Sequence, residues 1–394
     1  LHILQICKKF PYPLLDGECI AINQLTKGLK ANGCEVTVAA LNTKKHFTDT
    51  NKLPPEYLEQ AKYESVSIDT SINLAAFIRS ILKGSSYNID RFNNSDFNNL
   101  LIKICSENEF DIIQLEGLYL SPYINTLRAH SKAKIVLRAH NIEHLIWERL
   151  SEDTINPIKK LLYNHFASRL KEIELLCINI VDAIVPISST DALWYKEFSS
   201  NPVHSLGVGI DTHVVFNLDN KSVSKFFHIG SMDWQPNIDA LTWFIENVWK
   251  EMKSKYPQIE LHLAGRNFSD KLFQNIEGVI VHGEVADAHD FINQNHVMIS
   301  PLFSGSGIRV KIIEAMAMGK VVIATQIAAE GIDAKPEKEI LIADDANEYK
   351  VQMQKVISNN TLVTEIEEAA NSFIRKNFDN FVITEKLLEF YKTL

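Results

Sequence analysis

Short runs rich in Val, Ile and Leu alternate with amphipathic stretches along the whole chain. LHILQI opens as a strand, the polar loop KKFPYPLLDGE follows, and Cys19 to Ala31 reads as a helix stopped by Asn32-Gly33 before the strand EVTVAAL. DIIQLEG (111–117), KIVLRAH (134–140) and DAIVPIS (182–188) read as further strands, with a helical pattern over 157–178. Residues 43–99 are irregular and rich in Asn and Ser, which predicts a variable insertion. A second series starts at KFFHIGS (225–231). It continues through a helix at 236–255, strands at 259–265 and 279–283, a helix at 286–294, a strand at 296–302, a helix at 308–318 and a strand at 321–325. Strand–helix alternation predicts parallel sheets covered by helices on both faces. The fold class expected is therefore α/β, with two tandem Rossmann-like doubly wound domains facing each other across a cleft. The stretch HSLGVGIDTHVVFNLDNKS between the two series has no strong period and reads as the linker.

Composition narrows the function classes. The chain has 394 residues, enough for two or three domains with cores of their own. Its net charge of −9 argues against a dedicated nucleic-acid binder. The charge is unevenly divided: residues 1–207 carry −1 and the remainder −8, so only the first half could approach an anionic membrane. No apolar run is long enough to span a bilayer, and the first residues read as a strand rather than a signal peptide. Five widely spaced cysteines with no C-x-x-C pair fit a reducing cytoplasm and argue against a zinc site or a disulfide scaffold.

The strongest chemical signal is the strand–loop–helix HVMISPLFSGSGIRVKIIEAMAMGKVVIAT. The loop Phe303-Ser304-Gly305-Ser306-Gly307 lets backbone N–H groups approach a ligand closely, and the helix after it offers its positive end to an anion. Ile308 joins loop to helix. Arg309 and Lys311 fall in the first turn, the wrong end for cations unless a polyanion lies above it. Glu314 lies about two turns after Ser306 on one face and could accept hydrogen bonds from vicinal hydroxyls. Phosphate at the tip and ribose at Glu314 describe a nucleotide diphosphate; a Gly-rich turn with a solvated helix start is the plain alternative.

This segment resembles the donor-binding motif of the retaining GT-B glycosyltransferases of family GT4, the glycosyl transferases group 1. The run Glu314-Ala315-Met316-Ala317-Met318-Gly319-Lys320-Val321-Val322 matches the second half of that motif, whereas Ser306 stands where the family's first glutamate contacts the donor sugar. HIGSMDWQPNIDALTWF (228–244), LHLAGRNF (261–268), the opening FPYPLLDGECIAINQLTKGLKANGCEVTVAAL and the closing FIRKNFDNFVITEKLLEFYKTL extend the resemblance over nearly the whole chain. It implies an acceptor-binding domain at 1–207, a nucleotide-sugar donor-binding domain at 208–375, and a C-terminal helix at 376–394 crossing back to the first domain. Many relatives carry an Arg directly after Gly230 and a Lys six residues on; here Ser231 and Asn237 stand there, so Arg309, Lys311, the loop amides and Arg266 are left to meet the diphosphate. The resemblance places His140, at the end of a strand, by the donor sugar or its leaving phosphate, Gly17 near the diphosphate, and His282 with Gly283 near the base.

Weaker signals complete the picture. Asp16 and Glu116 are candidates for the acceptor, each equally explained as a turn or a loop residue. His140-Asn141-Ile142-Glu143-His144 also has the spacing of an inverted zinc-protease motif, but it follows a strand directly, and no metal site is expected. Lys159, Lys160, His165, Arg169 and Lys171 decorate one helix, either as a solvated face or as a face turned to a membrane. Trp234 and Trp243 read as packing. No D-x-D pair occurs, so no metal and no other cofactor is expected, the nucleotide-sugar being a substrate. The reading that follows is a retaining glycosyltransferase with a glycan or lipid-linked acceptor, in bacterial surface polysaccharide biosynthesis. It would be cytoplasmic or peripheral at the inner membrane face. A nucleotide-sugar epimerase and a non-catalytic nucleotide or sugar-binding protein are the competing readings.

Overall fold

The computed structural model describes the chain except residues 15–16, 72, 155, 208, 213–222, 269–272 and 305–307 and the side chains of 74, 78, 81–83 and 153. It divides into two compact units, Leu1–Gly209 with Asn380–Leu394, and Ile210–Asp379.

The first unit is built on six parallel strands, β1 (His2–Cys7), β2 (Glu35–Thr43), β3 (Lys62–Ile68), β4 (Ile112–Glu116), β5 (Lys134–Ala139) and β6 (Ala183–Pro186), in the order β3-β2-β1-β4-β5-β6. The central strands are nearly continuous apolar runs because both faces of the sheet are covered. Leu4, Ile6, Ile113, Leu115, Ile135 and Leu137 feed the core on one face. On the other, Ile3, Ile112 and Val136 pack with Leu25, Leu29, Ile383 and Leu387, which come from the first helix (Gly17–Ala31) and the last (Asn380–Tyr391). Those two helices cross at Gly28, where an added Cβ would stand 2.1 Å from Thr384 Oγ1. The span expected to be an irregular insertion in fact supplies β3. As an edge strand, KYESVSI is only partly buried along its length and lacks the apolar run of an inner strand.

The second unit repeats the winding. Its parallel strands are β7 (Lys225–Ile229), β8 (Glu260–Ala264), β9 (Val279–Gly283), β10 (Val297–Ser300), β11 (Val321–Ala324) and β12 (Leu341–Ile342), in the order β12-β11-β10-β7-β8-β9. In each sheet the first strand of the unit lies beside its fourth, so the order reverses between β1 and β4 and between β7 and β10. A helix expected over 236–255 is present as Gln235–Phe244 and Lys250–Lys255, joined by one π turn at Ile245–Trp249 that buries Trp249 and lets its Nε1 donate to Glu277 O at 2.9 Å. All five cysteines are buried free thiols.

Candidate functional site

In open parallel sheets, ligands sit beyond the carboxyl ends of the strands where the winding reverses. In the second unit that place is the end of β7 and β10, and the strand–loop–helix singled out in the sequence runs through it. Past β10, the helix is Val310–Ala317 rather than 308–318. Ile312, Ile313, Ala315, Met316 and Ala317 are buried on its inner side, and Gly319 at φ 69° ends it. Arg309 is the residue capping the helix, not part of its first turn, and Lys311 is its second residue. The Arg309 guanidinium lies 5.4 Å from the centre of the Trp234 ring, which stands at the end of the β7 loop. Burial pulls the Arg309 pKa below its ordinary value, and the charge of Glu330 offsets part of that. Lys311 Nζ pairs with Glu314 Oε2 at 2.8 Å, so the cation and the carboxylate expected to serve phosphate and ribose are neighbours on one turn. Ile308 packs toward Gly331. Gly305, Ser306 and Gly307, and Asp16 in the first unit, lie outside the described residues.

The β7 and β8 ends meet through glycine. Gly265 has φ 146°, and a Cβ there would fall 1.7 Å from Gly230 O, so this approach admits no side chain. Arg266 follows in an exposed turn and receives the Met232 N–H on its carbonyl at 2.9 Å. The two positions where many relatives carry cations close the loop instead: Asn237 Nδ2 donates to Ser231 O at 2.9 Å, and Ser231 Oγ donates to Asp233 at 2.6 Å. His282, on β9, stacks on His262 with ring nitrogens 2.9 Å apart, and burial lowers both pKa values.

The first unit has its own polar line at the reversal between β1 and β4. Gln5, Gln114, Glu116 and Arg138 all point to the face covered by the first and last helices, with Gln5 opposite Gln114 and Glu116 opposite Arg138 in register. Glu116 is fully buried. Its Oε1 accepts from Gln5 Nε2 at 3.3 Å and from Gln114 Nε2; its Oε2 accepts from Arg138 Nη1 at 3.2 Å and meets His140 Nε2 at 2.7 Å. Burial alone would push this carboxyl up, but Arg138 and the hydrogen bond to His140 outweigh it and hold the carboxyl below the usual range. Expected to bind an acceptor hydroxyl, Glu116 is instead committed on both oxygens to protein donors and orients His140. Gly17 begins the first helix with open space where a Cβ would be, so nothing described requires glycine there.

His140 and His144 turn to different carboxylates, which separates the two histidines of the zinc-like spacing. His144 Nδ1 meets Glu174 at 2.7 Å, and the same buried carboxylate accepts from Tyr195 OH at 3.0 Å and from the Glu143 N–H at 3.2 Å. Among the described residues, no group of three or more His, Cys, Asp or Glu is placed to hold a metal ion. Gln5, Gln114, Arg138 and Glu174 escaped the sequence reading, and Trp234, read as packing, also lies against the Arg309 guanidinium. The signal available for the first three was a polar residue interrupting an apolar strand run.

Comparison with known proteins falls on the same segments. Residues 224–359 match the family described as glycosyl transferases group 1. An uncharacterized 44.6 kDa protein in the cps region of Klebsiella pneumoniae is 23% identical over 295 residues, 69% of this chain and 72% of that one. Among solved structures, HepE of Anabaena in complex with UDP superposes with a TM-score of 0.67 at 13% identity over 100% of both chains. A sucrose-phosphate synthase from Thermosynechococcus elongatus gives 0.68 at 15% identity, covering 100% of this chain and 99% of its own. The chain thus consists of two Rossmann-like units and matches GT-B structures in fold.

Proposed function

We propose, from the premise that its second unit is a glycosyl transferases group 1 domain, that this enzyme moves a sugar from a nucleotide-sugar donor to a glycan or lipid-linked acceptor with retention of configuration. The observation that carries the proposal is the helix Val310–Ala317 at the β7–β10 reversal, with Arg309, Lys311 and Glu314 at its start and the group 1 match around it. Arg309 and Lys311 would take the diphosphate with the amides of residues 305–307, and the helix end would stabilise charge developing on the leaving phosphate. Glu314 would take the ribose hydroxyls. Arg266 and His282, at the ends of neighbouring strands, would complete the donor side toward diphosphate and base. His140, oriented by Glu116, would be the first unit's contribution to the transfer reaction. Solved structures of HepE hold UDP and UDP-glucose, which supports a nucleotide-sugar donor here. The Klebsiella relative in a cps region supports a role in surface polysaccharide biosynthesis.

Two further features belong to this reading. Charge on the diphosphate is met by cations and a helix end, so turnover proceeds without a divalent metal; activity lost to EDTA and restored by Mg²⁺ or Mn²⁺ would contradict that. No helix among the described residues is long and apolar enough to cross a membrane. Ile158 and Leu161 nonetheless stand 78% and 74% exposed beside Lys159 and Lys160, which supports peripheral contact with an anionic inner membrane face.

The deciding experiment is incubation of the protein with UDP-, GDP- and ADP-sugars, following nucleotide release with and without a glycan acceptor, and the anomeric configuration of product by NMR. Acceptor-dependent release is expected. Interconversion of sugars without release would favour an epimerase, and tight binding without turnover a non-catalytic protein. In the Glu314→Ala variant, nucleotide affinity should fall by about tenfold or more, the hydrogen bonds of a charged group being worth about 1.5–3 kcal/mol. Unchanged affinity in a folded variant would remove Glu314 from the site.

A further inference from the structure

The polar line of the first unit does not stop at Gln114. Tyr391, in the last helix, donates its hydroxyl to Gln114 Oε1, and Gln114 Nε2 in turn donates to Glu116. From the first helix, Thr26 Oγ1 donates to Gln5 Oε1 at 2.7 Å, and Gln5 Nε2 reaches the same carboxylate oxygen. Each amide is thereby told which way to face: oxygen toward a hydroxyl donor, nitrogen toward Glu116. Gln5, Gln114 and Glu116 are wholly buried, and the line ends at His140, which keeps a small exposed edge. Apolar residues of similar size would fill these strand positions at lower desolvation cost, so the line has to be explained by what stands at its end.

We propose that the last helix of the chain sets the orientation of His140, through Tyr391, Gln114 and Glu116, holding Nε2 inward so that Nδ1 is the nitrogen offered to substrate. The inference rests on the reading of His140 as a residue of the transfer reaction. Tyr391, Gln114 and Glu116 are positioning residues, since none of them is placed to touch a ligand. The chain of donors has one direction. The Tyr391 hydroxyl donates a hydrogen bond to an amide oxygen, which leaves the amide N–H₂ group for the carboxylate. The carboxylate, held ionised by Arg138, accepts from the imidazole. Burial and the charge of Glu116 both push the Tyr391 hydroxyl up, so it stays a donor across the working pH range. Removing that hydroxyl strands Gln114 Oε1 in a dry core, where an unmade hydrogen bond is costly, and frees the amide to tilt away from Glu116. This also gives the return of the last helix to the first unit a chemical purpose besides packing.

Tyr391→Phe keeps the ring in its apolar seat and deletes only the hydroxyl. The test compares ring-nitrogen chemical shifts of His140 in ¹⁵N-histidine-labelled protein, assigned by their loss in His140→Gln, with nucleotide Kd and with kcat and KM for transfer. The expected result is a folded protein with nucleotide affinity unchanged, His140 nitrogen shifts moved, and kcat lowered roughly 2- to 30-fold with little change in KM. Leu388→Val, a packing change on the same helix, should leave the His140 shifts alone. Gln114→Met breaks the middle of the line and serves if Tyr391→Phe does not fold. Unmoved His140 shifts in a folded Tyr391→Phe or Gln114→Met protein would overturn the proposal, as would equal movement in Leu388→Val. Moved shifts together with a fully active His140→Gln enzyme would uphold the orientation and instead overturn the assignment of His140 to the transfer site.

Discussion

Lys311 occupies the second position of its helix, where a cation works against the helix dipole by about 0.3–1 kcal/mol. Its pairing with Glu314 offsets about 0.2–0.5 kcal/mol of that, since the lysine is 45% exposed and water screens the pair. The two effects nearly cancel, so Lys311→Ala should move the ligand-free Tm by less than about 2 °C. Turnover should fall by about 10²–10³ if the ammonium meets charge on the leaving phosphate, with nucleoside affinity unchanged. A strongly destabilised Lys311→Ala protein would show that the residue is structural. Legibility at this scale depended on how far a residue's partner lies along the chain. Lys311 and Glu314 share a helix turn, so their relation could be read from spacing. Glu116 is visible at a strand end, but its partners Gln5 and Arg138 come from two other strands and Tyr391 reaches it only through Gln114; spacing gives no hint of that arrangement, so the sequence offers Glu116 equally to an acceptor hydroxyl and to a loop role.

Elements whose pattern was strong were found within a residue or two. β1, β4 and β5 could be read because buried inner strands are apolar throughout, and the first helix because Asn32-Gly33 stops it. β3 was lost to its half-buried pattern, and β12, two residues long, is too short to carry one. The crossing of the first and last helices was likewise not written in either helix alone. It depends on Gly28, whose missing side chain leaves room for Thr384. Gly28→Ala, a helix-favouring change on an isolated helix, should therefore destabilise the first unit by about 1–3 kcal/mol, while Gly28→Ala combined with Thr384→Ala should recover part of it. Urea unfolding monitored on both variants checks this; a Gly28→Ala protein as stable as the parent would mean the helices do not approach as described.

Over the whole molecule, four histidines and one carboxyl pull the pH dependence of stability in opposite directions. His204, His228, His262 and His282 are all lowered, each chiefly by burial. Below about 6.5 the unfolded chain takes up protons that these folded histidines refuse, so they remove stability as pH falls. Glu367 is pushed up to about 7, chiefly by burial. Between the ordinary carboxylate range and about 7 the folded form binds the extra proton, so Glu367 adds stability as pH falls. Accordingly, Glu367→Gln should steepen the loss of Tm between pH 7 and pH 5, and His228→Gln, which can still donate to Ile299 O, should make it shallower. Parallel Tm–pH curves for the three proteins would contradict both assignments.

The return of residues 380–394 to the first unit bears on how the chain is made. A ribosome delivers the six strands of the first sheet early, but the helix that covers Gln114 and seats beside Gly28 emerges only after the entire second unit. At about 5–20 residues per second, the first sheet waits on the order of ten seconds with the part of its face packed by the last helix, and Gln114 beneath it, uncovered. The second unit, continuous in sequence, can close meanwhile. Nascent chains stalled, through a C-terminal extension, with residue 379 just clear of the ribosome should therefore present a protease-resistant second unit beside a first unit still open to chaperones, an order of completion opposite to the order of synthesis.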